Sequence, residues 1–419
     1  RADYPYSRRA SDGAAINEGF AGDSVKTAEN FSKLTDMNYA YTPVVPAPEK
    51  NVKVPAWLND VRYYHNRGDT TFRGENSTMG DFVGLDDLYT ENPRVVDGFI
   101  DIYGSWIDRF GIDGFRIDTA KHVNPEFWAK FAPAMLDRAK AKGIPNFHIF
   151  GEVANDGVNV HEQAYYTRVA NMPTVLDFMF QRAAVDAVSG KAGTEMFNNL
   201  VMADTLYAES AKGGLRHPTF IGNHDAGRFA TFIKNAIPGI GQDELLKRVQ
   251  LGHALMFTMR GVPTVYSGDE QGFVSDGNDQ DARETNFASK VKVYLDNKLI
   301  GTTNSHAQDN YAQDHPMYRQ VAMLSKVRLG SAALRRGKTV VRNYGEKPGL
   351  FAFSRIDAES GEEVLVVANI SNAVLDTNVE LDPRSTSLQP LHGSCPALRA
   401  PGSAKVSLQP LDYVICSVK

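Results

Sequence analysis

The sequence predicts an α/β fold of parallel strands joined by helical crossovers, followed by a small antiparallel β-domain. Three observations carry this. Between Pro93 and Gly268, short apolar runs alternate with helical stretches, as strands buried on both faces do in a parallel sheet. Four of the five runs end in a polar or acidic residue, where an α/β barrel places its working groups. After about Lys338 the helical periodicity stops, and short strand-like runs separated by turn residues take over.

The stretch up to Asp87 is rich in Asn, Asp, Gly, Pro and Tyr and has no sustained period. It reads as an ordered excursion from a larger domain, with loop at Val44 to Pro48. Pro93 to Phe110 is amphipathic, and Gly114 to Asp118 is the first strand candidate. Asn124-Pro125 offers a cap with Pro at the first position of a second helix. Further strand candidates are Phe147 to Glu152, Thr174 to Phe180, Thr219 to Asp225 and Val262 to Gly268. Helices are expected over Asp243 to Met259 and Tyr318 to Arg336. An open doubly wound sheet is the alternative, but no Gly-rich phosphate loop follows any strand. In the C-terminal part, strands are expected at Thr339–Asn343, Gly349–Arg355, Glu363–Ile370, Val379–Leu381 and Val406–Val418, with a hairpin turn at Glu359-Ser360-Gly361. The expected division is residues 1–90, 91–337 and 338–419.

Composition narrows the function. The 419 residues carry a net charge of −5 and no run of Lys or Arg, which argues against a nucleic-acid partner. No stretch of eighteen apolar residues exists, so no membrane-spanning helix is expected. Arg1 is the first residue and nothing near it resembles a signal peptide, so the sequence reads as a processed or truncated product. Cys395 and Cys416 are the two cysteines. They either form one bridge, implying an extracellular or periplasmic setting, or remain two buried thiols, which the cytoplasm allows.

Cleaving a glycosidic bond requires two carboxyl groups flanking the scissile oxygen. Asp118 and Glu152 end consecutive strand candidates, so their side chains can converge, and Asp225 adds a third acid at a later strand end. A strand-end Asp taken alone is more often a cap or an ion-pair partner. Here Arg116 lies two residues before Asp118, on the same face of an extended strand, where its charge would keep that acid ionised. His224, beside Asp225, can hydrogen-bond hydroxyl groups.

Gly114-Phe115-Arg116-Ile117-Asp118-Thr119-Ala120-Lys121-His122 resembles the fourth-strand motif of α-amylase-family enzymes. Phe150-Gly151-Glu152-Val153 is similar to the fifth-strand motif, and Phe220 to Asp225 to the seventh. Gly84 to Leu88 is a looser match to the motif that ends the family's inserted domain. The resemblance implies a TIM-type (β/α)8 barrel with strands four to eight visible. It makes residues 1–90 an irregular domain inserted between strands three and four, 91–337 the barrel and 338–419 an antiparallel β-sandwich. It implies Asp118 as nucleophile, Glu152 as acid/base and Asp225 as transition-state stabiliser, with Arg116, Lys121, His122, His224 and Arg228 at the sugar. Lys121-His122 leans toward α-1,4-glucans such as starch, and the loop Gly277 to Arg283 is a candidate for acceptor-side contacts. A structural Ca²⁺ is implied, with Asp87 and the His122 carbonyl as ligands. The family's Asn ligand and first three strands have no counterpart before residue 80. The expectation is therefore that this stretch alone is poorly soluble and nearly inactive on starch, while the parent is a monomer. Transglycosidases, phosphorylases and glucoside isomerases of the family share the three acids, and a non-catalytic carbohydrate-binding relative would lack at least one.

Overall fold

A computed structural model describes residues 7–8, 15–21, 25, 27–33, 35, 43, 45–70, 72–74, 76–154 and 160–419. Val44 and much of the expected irregular stretch before it lie outside the described residues. The chain divides into two compact units: 1–153 with 166–173, and 154–165 with 174–419.

In the first unit, the amphipathic run forms helix α1 (Pro93–Phe110), capped by the Asn92 side chain and ended by Gly111 in the left-handed region. Strand β1 (Gly114–Ile117) follows, then helix α2 (Pro125–Ala141) and strand β2 (His148–Gly151). β1 and β2 pair in parallel from Gly114 opposite His148 to Ile117 opposite Gly151. Gly114 is needed there, because a Cβ would lie 2.1 Å from the His148 carbonyl oxygen. Asn124 stands at the expected cap position but makes no capping bond; its Oδ1 accepts from Thr90 instead. Ile107, Phe127, Phe131, Met135 and Ile149 are buried, and Phe127 stacks on Phe131. Between residues 45 and 92 the described residues form short 3₁₀ turns, a four-residue helical turn (Asn76–Met79) and isolated bridges, such as Tyr64 with Leu88, which explains why no period was visible.

The second unit holds strands β3 (Thr174–Val175), β4 (Pro218–Thr219) and β5 (Val262–Pro263), with β4 and β5 parallel. The expected Thr174–Phe180 strand is corrected: Asp177 ends it and caps helix α3 (Phe178–Val188) through Phe180 N–H at 3.0 Å. An apolar run of that length fits either element. Helix α4 (Gln242–Thr258) stands within a residue of its expected bounds. The expected Tyr318–Arg336 helix is two, α5 (Pro316–Gly330) and Ala332–Arg336. Ser331 between them is extended, and its hydroxyl accepts from Leu334 N–H.

The C-terminal strands are β6 (Lys338–Asn343), β7 (Leu350–Ile356), β8 (Glu363–Asn369), β9 (Leu375–Glu380), β10 (Leu388–His392), β11 (Leu398–Ala400), β12 (Ser403–Leu408) and β13 (Tyr413–Val418). They form two antiparallel sheets, ordered β10-β13-β8-β7-β6 and β9-β12-β11. Val406–Val418 is thus two strands, and β10 and β11 were not read from the sequence because their exposed polar residues break the alternation. The turn between β7 and β8 stands where expected, with Gly361 at φ +72°. Leu365, Val367, Val379, Val406, Val414 and Cys416 form the shared core.

Cys395 and Cys416 are joined in a disulfide. Closing a loop of that length restricts the unfolded chain by roughly 3 kcal/mol. Replacing both cysteines by Ser should therefore lower stability by about that amount in urea unfolding, and no change would show that the crosslink adds nothing.

Candidate active site

β1 and β2 deliver two acids side by side. Asp118 follows Ile117, and Glu152 follows Gly151, with Glu152 N–H donating to Ile117 C=O at 2.8 Å and extending the ladder by one bond. Arg116 joins them: Nη1 donates to Asp118 Oδ1 at 2.6 Å and Nη2 to Glu152 Oε2 at 3.1 Å. Thr119 N–H also donates to Glu152 Oε2, at 3.2 Å. Thr119 holds φ at +47°, a costly conformation for a β-branched residue, and this turn aims its amide at Glu152.

The two carboxyls have different surroundings. The Asp118 side chain is 68% exposed and that of Glu152 10%. Burial raises the Glu152 pKa to about 7, helped by a hydrogen bond with Asp118 and opposed by the Thr119 amide and Arg116. One acid therefore keeps its proton through the mildly acidic range and is about half protonated at pH 7, while its exposed neighbour sits on a guanidinium. Environments that push two carboxyls apart in this way assign acid and anion roles. The raised pKa also bears on stability. Glu152 favours the folded state most below its ordinary 4.5, and that contribution is lost as pH rises through about 7.

The turn after Asp118 is fixed from below. Trp128 Nε1 donates to the Ala120 carbonyl and the Tyr166 hydroxyl to that of Lys121, both at 2.9 Å. The His122 ring contacts Phe72 and Phe82, and its Nδ1 lies 2.9 Å from the Ser77 carbonyl oxygen. His122 thus ties the turn to the irregular segment.

Asp87 meets a partner that the sequence did not suggest. His65 lies between two carboxylates, Nδ1 at 2.5 Å from Asp87 and Nε2 at 2.8 Å from Glu91. Burial lowers the His65 pKa, but the two carboxylates outweigh it and bring it to about 9. The Asp87 carboxylate is therefore occupied by an imidazolium. Among the described residues no group of three or more His, Cys, Asp or Glu side chains is placed to hold a metal ion. Asp87, expected as a Ca²⁺ ligand together with the His122 carbonyl, has His65 as its side-chain partner.

In the second unit, Asp225 sits on a tight loop beyond β4. Asn223 and Gly227 exchange backbone hydrogen bonds of 3.1 and 2.9 Å, and Asn223 Oδ1 accepts from the Asp225 and Ala226 amides. Gly227 has φ +103°, and a Cβ on Gly222 would lie 2.7 Å from its carbonyl oxygen. The Asp225 carboxylate meets His224 Nε2 and Arg283 Nη2, each at 3.1 Å.

Arg228 is corrected. Its side chain is fully buried, with Nε on Glu284 at 2.9 Å, Nη1 on Asp269 at 2.9 Å and on the Ser267 carbonyl at 2.8 Å. The Tyr266 ring lies 4.1 Å from its guanidinium carbon. A sugar hydroxyl has no route to this group, so Arg228 secures the loop instead. Asp269 directly follows the fifth apolar run and Glu284 follows Arg283, so both were visible as acids, but nothing in the sequence marked them as buried. Arg228→Met removes the cation that two buried carboxylates share and should destabilise by about 3–5 kcal/mol, measured by urea unfolding. A loss under 1 kcal/mol would contradict the assignment.

The α-amylase catalytic-domain model matches residues 23–337. The chain belongs to the α-amylase family. It is 38% identical over 405 residues to the α-amylase of Streptomyces lividans, covering 97% of this chain and 43% of that protein. To the cyclomaltodextrin glucanotransferase of Geobacillus stearothermophilus it is 30% identical, covering 57% of this chain and 31% of that one. The chain thus spans less than half the length of these curated relatives. Two solved structures share the fold. The α-amylase of Anoxybacillus has TM-score 0.68 and 24% identity, over 86% of this chain and 72% of its own. That of Geobacillus thermoleovorans, solved with acarbose, has TM-score 0.69 and 19% identity, over 87% and 74%. The fold class is the family's TIM-type barrel followed by a C-terminal antiparallel β-domain.

Proposed function

We propose that this α-amylase-family chain serves a retaining glycosidase that cleaves α-1,4-glucosidic bonds in starch or maltodextrins. The Asp118–Arg116–Glu152 arrangement carries the reading. An exposed, Arg-paired carboxylate suits the nucleophile, and a buried carboxyl whose pKa is raised to about 7 suits the acid. Glu152 would give its proton to the leaving glycosidic oxygen while an Asp118 oxygen bonds to the anomeric carbon and the C–O bond breaks. Glu152, now the base, would take a proton from water as the water oxygen displaces Asp118 and restores the configuration. Asp225 would stabilise the distorted sugar, with Lys121, His122 and His224 at its hydroxyls.

An oligosaccharide substrate is supported by the acarbose complex of the Geobacillus thermoleovorans relative. The Lys121-His122 pair supports the α-1,4-glucan preference. An extracytoplasmic setting is supported by the Cys395–Cys416 bridge. Transglycosylation is the second reading, favoured by the likeness to a glucanotransferase. Incubating the intact protein with maltoheptaose separates them. Shorter linear products support hydrolysis, and longer or cyclic products support transfer. An untouched substrate would overturn the proposal.

A further inference from the structure

Arg283 touches the candidate stabiliser directly, yet none of the motif residues explains why it is held there. Its Nη2 bonds Asp225 Oδ1 at 3.1 Å and Asp279 Oδ1 at 2.7 Å, and its Nε adds a second bond to Asp279 at 3.1 Å. All three side chains are more than one-third exposed. Pairs so exposed add little to stability, so stability does not account for the arrangement. Asp279 itself holds φ at +48°, a conformation that Asp tolerates better than most residues but still at a cost.

The framework beneath fixes the spacing. Arg228 closes the foot of the Asp225 loop, and its bond to Glu284 pins the residue next to Arg283. The Tyr266 hydroxyl donates to the Ala282 carbonyl at 2.6 Å, on the other side of Arg283. At the same place Gly227 packs so closely on the 277–278 backbone that a Cβ would lie 3.1 Å from the Gly277 carbonyl oxygen. Both loops are therefore anchored on buried Arg228 and its two carboxylates, and the Arg283 guanidinium reaches Asp225 from a braced position.

We propose that Arg283 is a positioning residue for Asp225: it holds the carboxylate in one orientation before sugar arrives, and it acts through Asp225 rather than on the sugar. The effect on rate rests on the proposed glycosidase reading; the Arg283–Asp225 contact does not.

The test is a double-mutant cycle in the intact protein with maltoheptaose. Arg283→Met should lower kcat by about 10- to 100-fold, the scale of a misplaced reacting group, with KM within about two-fold. Arg283→Lys should recover part of the loss, and Asp279→Asn should show a smaller loss. In an Asp225→Asn background, Arg283→Met should add nothing. A raised KM at unchanged kcat, or losses that multiply in the double variant, would overturn the proposal. The contact has its own readout, the Arg283 Nε–H resonance in the free protein. It should shift in Asp225→Asn, and an unmoved signal would refute the contact. If the wild type cleaves no glucan while that resonance shifts, the glycosidase reading has failed and the contact stands.

Discussion

Asp118→Asn should lower turnover of maltooligosaccharides by roughly 10⁴-fold or more, the scale on which loss of a covalent nucleophile is felt. The fold should be unaffected, because Asp118 is the exposed member of its pair and its ion pair with Arg116 adds little stability. Two observables separate this from a positional role. Substrate binding to the Asn variant should survive, since Lys121, His122 and His224 still face the sugar hydroxyls, and far-UV spectra and Tm should match wild type. Substantial residual turnover would show that another group attacks the anomeric carbon.

The second large effect concerns Glu152. With its pKa at about 7, the acid is protonated below that pH and loses its proton above it, so the basic limb of kcat/KM in the free enzyme should fall near pH 7. Glu152→Gln cannot ionise. It should abolish that limb and lower turnover of natural glucans by about 10²–10⁴-fold, while substrates with activated leaving groups still form the glycosyl-enzyme. Glucans need a proton on the departing oxygen, whereas an activated leaving group departs without one. Asp118 is the neighbour whose charge and hydrogen bond help raise Glu152, so Asp118→Asn should also move the residual limb to lower pH. A basic limb that stays near pH 7 in Glu152→Gln would assign it to a different group.

How much of this was legible differs from element to element. α1 could be read to the residue from its apolar spacing, and the Asn92 cap and terminal Gly111 in the structure agree with it. Asp118 and Glu152 were legible as strand-end acids, and Arg116 as the cation on the Asp118 face. Its second bond, to Glu152, was not, since it depends on the parallel register of β1 and β2 rather than on spacing along either strand. Asp177 was hidden inside an apolar run, where strand and helix share one pattern until a cap decides between them. Arg228 was misread for a related reason. A polar side chain beside a motif looks like a ligand-binding group, and only burial with Asp269 and Glu284, distant in sequence, shows otherwise. His65 lies in a segment without periodicity, 22 residues from Asp87, and no local signal could have joined them.

The glycosyl-enzyme itself tests the central claim most directly. Incubating the intact protein with a 5-fluoro-α-maltosyl fluoride, digesting it and sequencing the labelled peptide by mass spectrometry locates the attacking carboxylate. The account predicts one sugar esterified to Asp118, with Glu152 and Asp225 unmodified and release of an α-configured product on reactivation. A label on another residue, or no label together with a β-configured first product, would contradict it.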